Sequence, residues 1–131
     1  MVVEYVSLDE VYAIHKQVVK IGGGLHTLPD PSLLYAAVER AKATFASRDL
    51  YPQLEQKAAA FFHSLIKGHP FVDGNKRTAY FSMLRFMQKN NRSVRASKQD
   101  ILTLCLAVEN ESMDLDGLAR WIEKRSRKIS S

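Results

Sequence analysis

The sequence predicts an all-α protein of about six helices, and three observations carry that expectation. Apolar residues recur at three- and four-residue intervals along most of the chain. Helix start and stop signals punctuate those stretches at ordinary helix lengths. Segments alternating with a period of two, the mark of half-buried strands, are scarce. The 131 residues make one ordinary domain, and neither a repeat nor a linker divides them. A single domain over 1–131 is expected, with a basic tail from about residue 124.

Taken in order, Ser7-x-x-Glu10 has capping-box spacing, and Leu8, Val11, Ile14, Val18 and Val19 follow at helical intervals. Three consecutive glycines at 22–24 stop that helix, because their backbone entropy opposes its continuation. Asp30 and Pro31 open the next as cap and first-turn proline, with Leu34, Ala37, Val38 and Ala41 inward. After a loop around Ser47–Pro52, a third stripe runs through Leu54, Ala58, Phe61, Phe62, Leu65 and Ile66. Gly68 ends it and Pro70 bars its resumption.

A fourth helix is expected from Asn75 to about Lys89. Ala79, Tyr80, Phe81, Met83, Leu84, Phe86 and Met87 make it apolar around most of its circumference, so it is expected at the centre. Ser97 caps a fifth helix through ILTLCLAV, and Asp114 a sixth with Leu115, Leu118 and Ile122 inward. Strand signals amount to a small hairpin near Gly22–Leu28 and an extended turn near Val94.

Nineteen basic against fourteen acidic side chains leave a net charge of +5. Arg120, Lys124, Arg125, Arg127 and Lys128 against Glu123 place +4 of it near the C-terminus, and residues 74–99 hold seven cations and no acid. Such stretches favour phosphate-bearing partners, although a solvated face and a frayed tail account for most of them. The single cysteine, Cys105, lies in an apolar run and reads as a buried, inert thiol in a reducing compartment. The N-terminus lacks the pattern of a signal peptide, and no apolar run approaches the ~20 residues of a membrane span. A soluble, cytoplasmic protein is expected.

The stretch GHPFVDGNKRTAYF, residues 68–81, breaks this bland pattern. It puts its polar residues between two core helices, at the N-terminus of the fourth. Unpaired N–H groups and the positive end of the dipole suit an anion there. Gly74 permits close backbone approach, and Lys76 and Arg77 add full charges. A histidine such as His69 can exchange a proton near neutrality, and Asp73 offers the hard oxygen that Mg²⁺ requires. These residue types suit work on a nucleotide. Residue types alone leave other roles open: Asp73 or Asn75 as a helix cap, Phe71 as a core anchor. A phosphate-binding loop of the G-x-x-x-x-G-K-[ST] kind is absent. His63 with His69 lacks the further ligands a metal centre needs, and His15 and His26 read as packed or loop residues.

HPFVDGNKR, residues 69–77, matches the H-x-F-x-[DE]-G-N-[GK]-R signature of the Fic/Doc superfamily. With Lys76 where typical Fic enzymes carry glycine, the chain resembles the Doc (death-on-curing) branch. Residues 22–45 resemble the glycine-rich segment and following helix of Doc-like toxins, and residues 49–87 their central helix–loop–helix. The likeness spans most of residues 5–125.

The resemblance implies a bundle of about six helices with a small glycine-rich flap and a nucleotide at the loop. It makes His69 the base that deprotonates a target hydroxyl, and Asp73 the residue that holds Mg²⁺. Gly74, Asn75, Lys76 and Arg77 would meet phosphates, and Phe71 would anchor the loop. Gly22, Gly23, Gly24 and Leu25 would lie in the flap that aligns the target chain by strand pairing. Fic enzymes transfer AMP, whereas the Doc branch transfers the terminal phosphate of ATP with the nucleotide reversed. A lysine at 76 fills space beside the backbone and adds charge there, which gives the difference a physical basis.

The expected function is a Doc-like toxin of a toxin–antitoxin pair. It would phosphorylate a Ser or Thr hydroxyl on a translation factor of the elongation factor Tu type and so arrest translation. AMP transfer is the runner-up. A non-catalytic nucleic-acid- or partner-binding module comes last, because it leaves His69 and Asp73 without a task. The inhibitory [ST]-x-x-x-E-[GN] motif of Fic enzymes has only Cys105 to Asn110 as a counterpart, and Tyr80 replaces the arginine it would engage. Restraint is therefore expected from a separate Phd-like antitoxin with a disordered segment that folds on binding.

Overall fold

The computed structural model describes residues 2–129. Helix α1 (Leu8–Gly22) begins with a complete capping box: the Ser7 hydroxyl accepts the Glu10 N–H, and the Glu10 carboxylate accepts the Ser7 N–H. It stops at Gly23, where φ is 84°. Helix α2 (Pro31–Glu39) opens on the Asp30 cap and runs into a 3-10 turn at Arg40–Lys42. Helices α3 (Leu54–Gly68) and α4 (Asn75–Lys89) follow, the latter with the bounds the periodicity predicts. Ser97 and Asp114 cap α5 (Lys98–Glu109) and α6 (Leu115–Arg125), as expected. Six α-helices account for most of the described residues, and the all-α class holds.

Three expectations change. No strand forms at 22–28; the hairpin is β1 (Thr44–Phe45) with β2 (Arg48–Asp49). Its turn residues Ala46 and Ser47 both have positive φ, 53° and 64°, the geometry that fits a two-residue hairpin. The 22–28 segment is not available for a hairpin of its own, because its backbone is bonded elsewhere. Gly22 completes α1, the Leu25 N–H donates to Asp73, and the Thr27 carbonyl accepts the Val72 N–H. The Gly22, Gly23, Gly24 and Leu25 stretch is therefore a strap across the motif loop.

The second change is at the C-terminus. Where a frayed basic tail was expected from about 124, α6 continues to Arg125. A strand β4 (Ser126–Lys128) then pairs antiparallel with β3 (Arg92–Val94). The ladder and a 2.7 Å bond from Arg92 Nε to Ser126 Oγ hold it.

The third concerns the centre. Helix α3, not α4, packs against α2, α4, α5 and α6. Ala58, Ala59 and Ala60 let its neighbours approach, and Phe61, Phe62, Leu65 and Ile66 fill the space between them. Helix α4 contacts α1, α3, α5 and β3, and leaves Phe81 half exposed. Even Lys57 of α3 is buried, its ammonium 3.0 Å from Asp49 at the end of the hairpin. No helix among the described residues is long and apolar enough to cross a membrane.

Candidate functional site

The loop between α3 and α4 is bounded by two left-handed residues. His69 (φ 47°, ψ 55°) turns the chain out of α3, and Gly74 (φ 76°, ψ 17°) turns it into α4. Gly74 is required twice over, by its φ and because a Cβ there would sit 3.3 Å from Val18 Cγ1. No side chain caps the first turn of α4. That end consequently offers N–H groups to an anion. Neither Asp73 nor Asn75 caps α4 with its side chain, so that alternative falls away.

Asn75 is buried and works inside the loop. Its Oδ1 accepts the Phe71 N–H at 3.0 Å, while Nδ2 donates to the Phe71 carbonyl at 2.7 Å and to His69 Nδ1 at 3.0 Å. The amide is thus fully committed to shaping the turn. The His69 ring is exposed and makes no other hydrogen bond among the described residues. Phe71 is buried, its ring stacked on His15 at 3.6 Å and 5°.

Asp73 accepts the Leu25 N–H through Oδ2 at 3.0 Å. Its other oxygen makes no hydrogen bond among the described residues, and a carboxylate oxygen of that kind has the chemistry to ligate a hard divalent ion. Among the described residues no group of three or more His, Cys, Asp and Glu forms a cage of its own. A cation here would take most of its ligands from water and phosphate.

The motif's two cations sit at the wrong end of α4 for its dipole, and neighbours compensate both. Arg77 donates to the Val18 carbonyl at 3.2 Å and the Gly23 carbonyl at 3.4 Å, at the negative end of α1. Lys76 points the other way, with Nζ 3.3 and 3.4 Å from the two carboxylate oxygens of Glu109 in the last turn of α5. Cys105 lies against the Lys76 carbonyl, and burial pushes its thiol up to about 11, consistent with an inert residue.

Sequence reasoning read His15 as a packed residue, which its burial bears out, but missed its bond to Asp73 and missed Glu109 as a partner of the motif lysine. His15 is fully buried, with Nε2 2.7 Å from the Asp73 carbonyl and Nδ1 2.7 Å from His26 Nδ1. Burial lowers its pKa more than the bond to Asp73 raises it. His63 does not join the site but accepts from Arg40 at 3.0 Å; burial, then the Arg40 charge, lowers its pKa. The only available signal for His15 was a histidine on the inward stripe of α1.

Two apolar grooves flank the exposed ridge of α4, each about 670–680 Å³. One lies against α1, with Ile14, Val18, Ile21 and Phe81 in its walls. The other lies against α5 and is walled by Tyr80, Phe81, Leu84, Ile101 and Leu102. Lys76, Arg77, Arg95 and Lys98 ring the second.

A histidine, a carboxylate and two cations gather around the uncapped start of a helix, a set of groups whose chemistry suits an anion such as phosphate. The Fic/DOC family model matches residues 5–87, and the chain belongs to that family. It is 36% identical over 121 residues to "Toxin Doc" of Mycolicibacterium smegmatis, covering 88% of each chain. It is 32% identical over 90 residues to "Protein kinase doc" of Escherichia phage P1, covering 69% of this chain and 71% of that one. Both relatives bear the Doc name, in agreement with the branch that Lys76 suggests.

Proposed function

We propose that the protein is a Doc-like toxin that transfers the terminal phosphate of ATP to a Ser or Thr hydroxyl of a translation factor of the elongation factor Tu type. The observation that carries this reading is Lys76. It occupies the position of the glycine in AMP-transferring relatives, in the first turn of α4, with its ammonium beside Glu109 of α5. The names of the two relatives, a toxin and a protein kinase, support it.

In this reading the phosphates lie on the free N–H groups of α4, flanked by Gly74, Lys76 and Arg77. Asn75 acts through the loop it holds. Asp73 would hold Mg²⁺, which neutralises phosphate charge when bound. The target oxygen bonds to the terminal phosphorus as the bond from phosphorus to the ADP oxygen breaks, and ADP leaves with that electron pair. The hydroxyl proton passes to His69. Strand pairing with the target needs a free edge. The hairpin β1–β2, tied to α3 through Asp49 and Lys57, offers one, with Phe45 exposed on it.

Restraint comes from a Phd-like antitoxin whose acidic, disordered segment folds onto the apolar groove beside α5. The ring of cations there supplies the charge complement. Both protein and antitoxin act in the cytoplasm, where the translation factor is.

The decisive experiment incubates the purified protein with Mg²⁺ and a translation extract, using ATP labelled at the α or the γ phosphate, alongside His69→Ala. Transfer from γ alone, lost in the variant, is expected. Transfer from α would make the protein an AMP transferase and remove the role given to Lys76. No transfer from either would leave a binding module.

A further inference from the structure

We infer that His15, backed by His26, is a positioning residue that holds Asp73 for its cation. This rests on the reading of Asp73 given above. The direction of the hydrogen bonds follows from the chemistry of the groups. The Asp73 carbonyl can only accept, so His15 Nε2 carries a proton. In a neutral imidazole Nδ1 is then a bare acceptor, and the 2.7 Å contact between the two rings requires the proton to be on His26 Nδ1. The result is a one-way chain: His26 donates to His15, and His15 donates to the Asp73 backbone. His26 Nε2 is left as a buried acceptor without a partner, and the His26 ring packs 4.3 Å from that of Tyr12.

Asp73 is thereby held at three points. His15 takes its carbonyl and the Leu25 N–H takes one carboxylate oxygen. Gly24 closes on its Cβ: any side chain at Gly24 would start 3.0 Å from that atom, at a φ of +112°. The His15 ring also lies flat on Phe71. One buried imidazole therefore fixes two residues of the loop, and His26 carries the same constraint into the glycine-rich strap. This arrangement accounts for a fully buried polar ring in α1 where an apolar side chain would pack as well. One of its nitrogens is spent on the backbone of the residue that must face the cation, and the other on His26.

The test compares His15→Phe, which keeps a ring on Phe71 but has no donor, with His15→Gln, which can return a donor to the Asp73 carbonyl. Calorimetric titration of ATP at several Mg²⁺ concentrations and with a chelator is paired with melting temperature and amide hydrogen exchange. His15→Phe is expected to raise the Mg²⁺ needed for half-maximal ATP binding about fivefold, the scale of one lost hydrogen bond. Binding in the chelator should be unchanged, and the Leu25 N–H should exchange faster. His15→Gln should recover most of the Mg²⁺ affinity. Should His15→Phe fail to fold, His26→Leu is expected to show the same changes in weaker form.

An unaltered Mg²⁺ requirement, or an equal loss of ATP binding with and without Mg²⁺, would overturn the inference. If wild-type ATP binding ignores Mg²⁺, the cation reading of Asp73 falls. The exchange of Leu25 then decides the positioning role, and unchanged exchange in His15→Phe overturns it.

Discussion

Asn75 donates its side-chain amide to Nδ1 of His69, and Phe71 fixes the direction of that bond. The Phe71 N–H demands the amide oxygen and the Phe71 carbonyl demands the nitrogen, so the amide cannot be turned over. Neutral His69 therefore holds its proton on Nε2. A hydroxyl proton can reach the ring only when Asn75 releases Nδ1, the one nitrogen of the neutral ring that can accept it. Nitrogen NMR of the imidazole should report the Nε2–H tautomer in the free protein. Asn75→Ala should mix the tautomers, strand both Phe71 backbone groups and cost about 2–3 kcal/mol in denaturant melts. A stable variant with an unmixed tautomer would show that Asn75 does not set it.

Gly22 and Arg77 give a substitution that separates function from stability. A Cβ on Gly22 would run into the Arg77 guanidinium. That group is the tip of a long side chain and can move aside, while alanine suits the last turn of α1 better than glycine by up to ~1 kcal/mol. Gly22→Ala should melt at or above the wild-type temperature yet bind ATP several-fold more weakly. Unchanged ATP affinity would mean that Arg77 is not a phosphate contact.

Glu109 holds the Lys76 ammonium that the proposed function gives to phosphate. The pair is about two-fifths exposed on each side, so it contributes at most ~1 kcal/mol. A nucleotide phosphate should displace it readily. Glu109→Gln is expected to tighten ATP binding about two- to fivefold at low salt, with the difference shrinking as salt rises. Equal or weaker binding in the variant would show that Glu109 helps Lys76 rather than restrains it.

Glu10 sets an acid limit on stability. Burial acts to raise its pKa, but Lys89 at 2.6 Å, the Ser7 N–H and Arg85 together hold it below the ordinary 4.5. Because the folded-state value is the depressed one, the stabilisation is complete above pH 4.5 and is lost as pH falls through the folded value. Glu10→Gln should lose about 1 kcal/mol at pH 7 and show a flatter stability profile below pH 4.5. Parallel profiles for the two proteins would remove Glu10 from the acid transition.

Much of the candidate site was legible because it is contiguous. His69, Asp73, Gly74, Lys76 and Arg77 fall within nine residues, and any helix start would gather them. The helices were legible where a cap and a stripe agree, as at Ser7, Asp30 with Pro31, Ser97 and Asp114. The hairpin at 44–49 was not, since Ala46 and Ser47 lack the Asn-Gly or Asp-Gly chemistry that signals such a turn.

By itself the sequence determined the helices, the caps of four of them, and the grouping of charge and histidine at the start of α4, because these depend on neighbours a few residues away. Tertiary structure alone decided what surrounds that group. His15 meets Asp73 across 58 positions, Lys76 meets Glu109 across 33, and Lys57 is buried against Asp49 of the hairpin. Periodicity says which face of a helix turns inward, but packing decides which faces meet. A buried polar atom finds its partner only once the helices have closed around it.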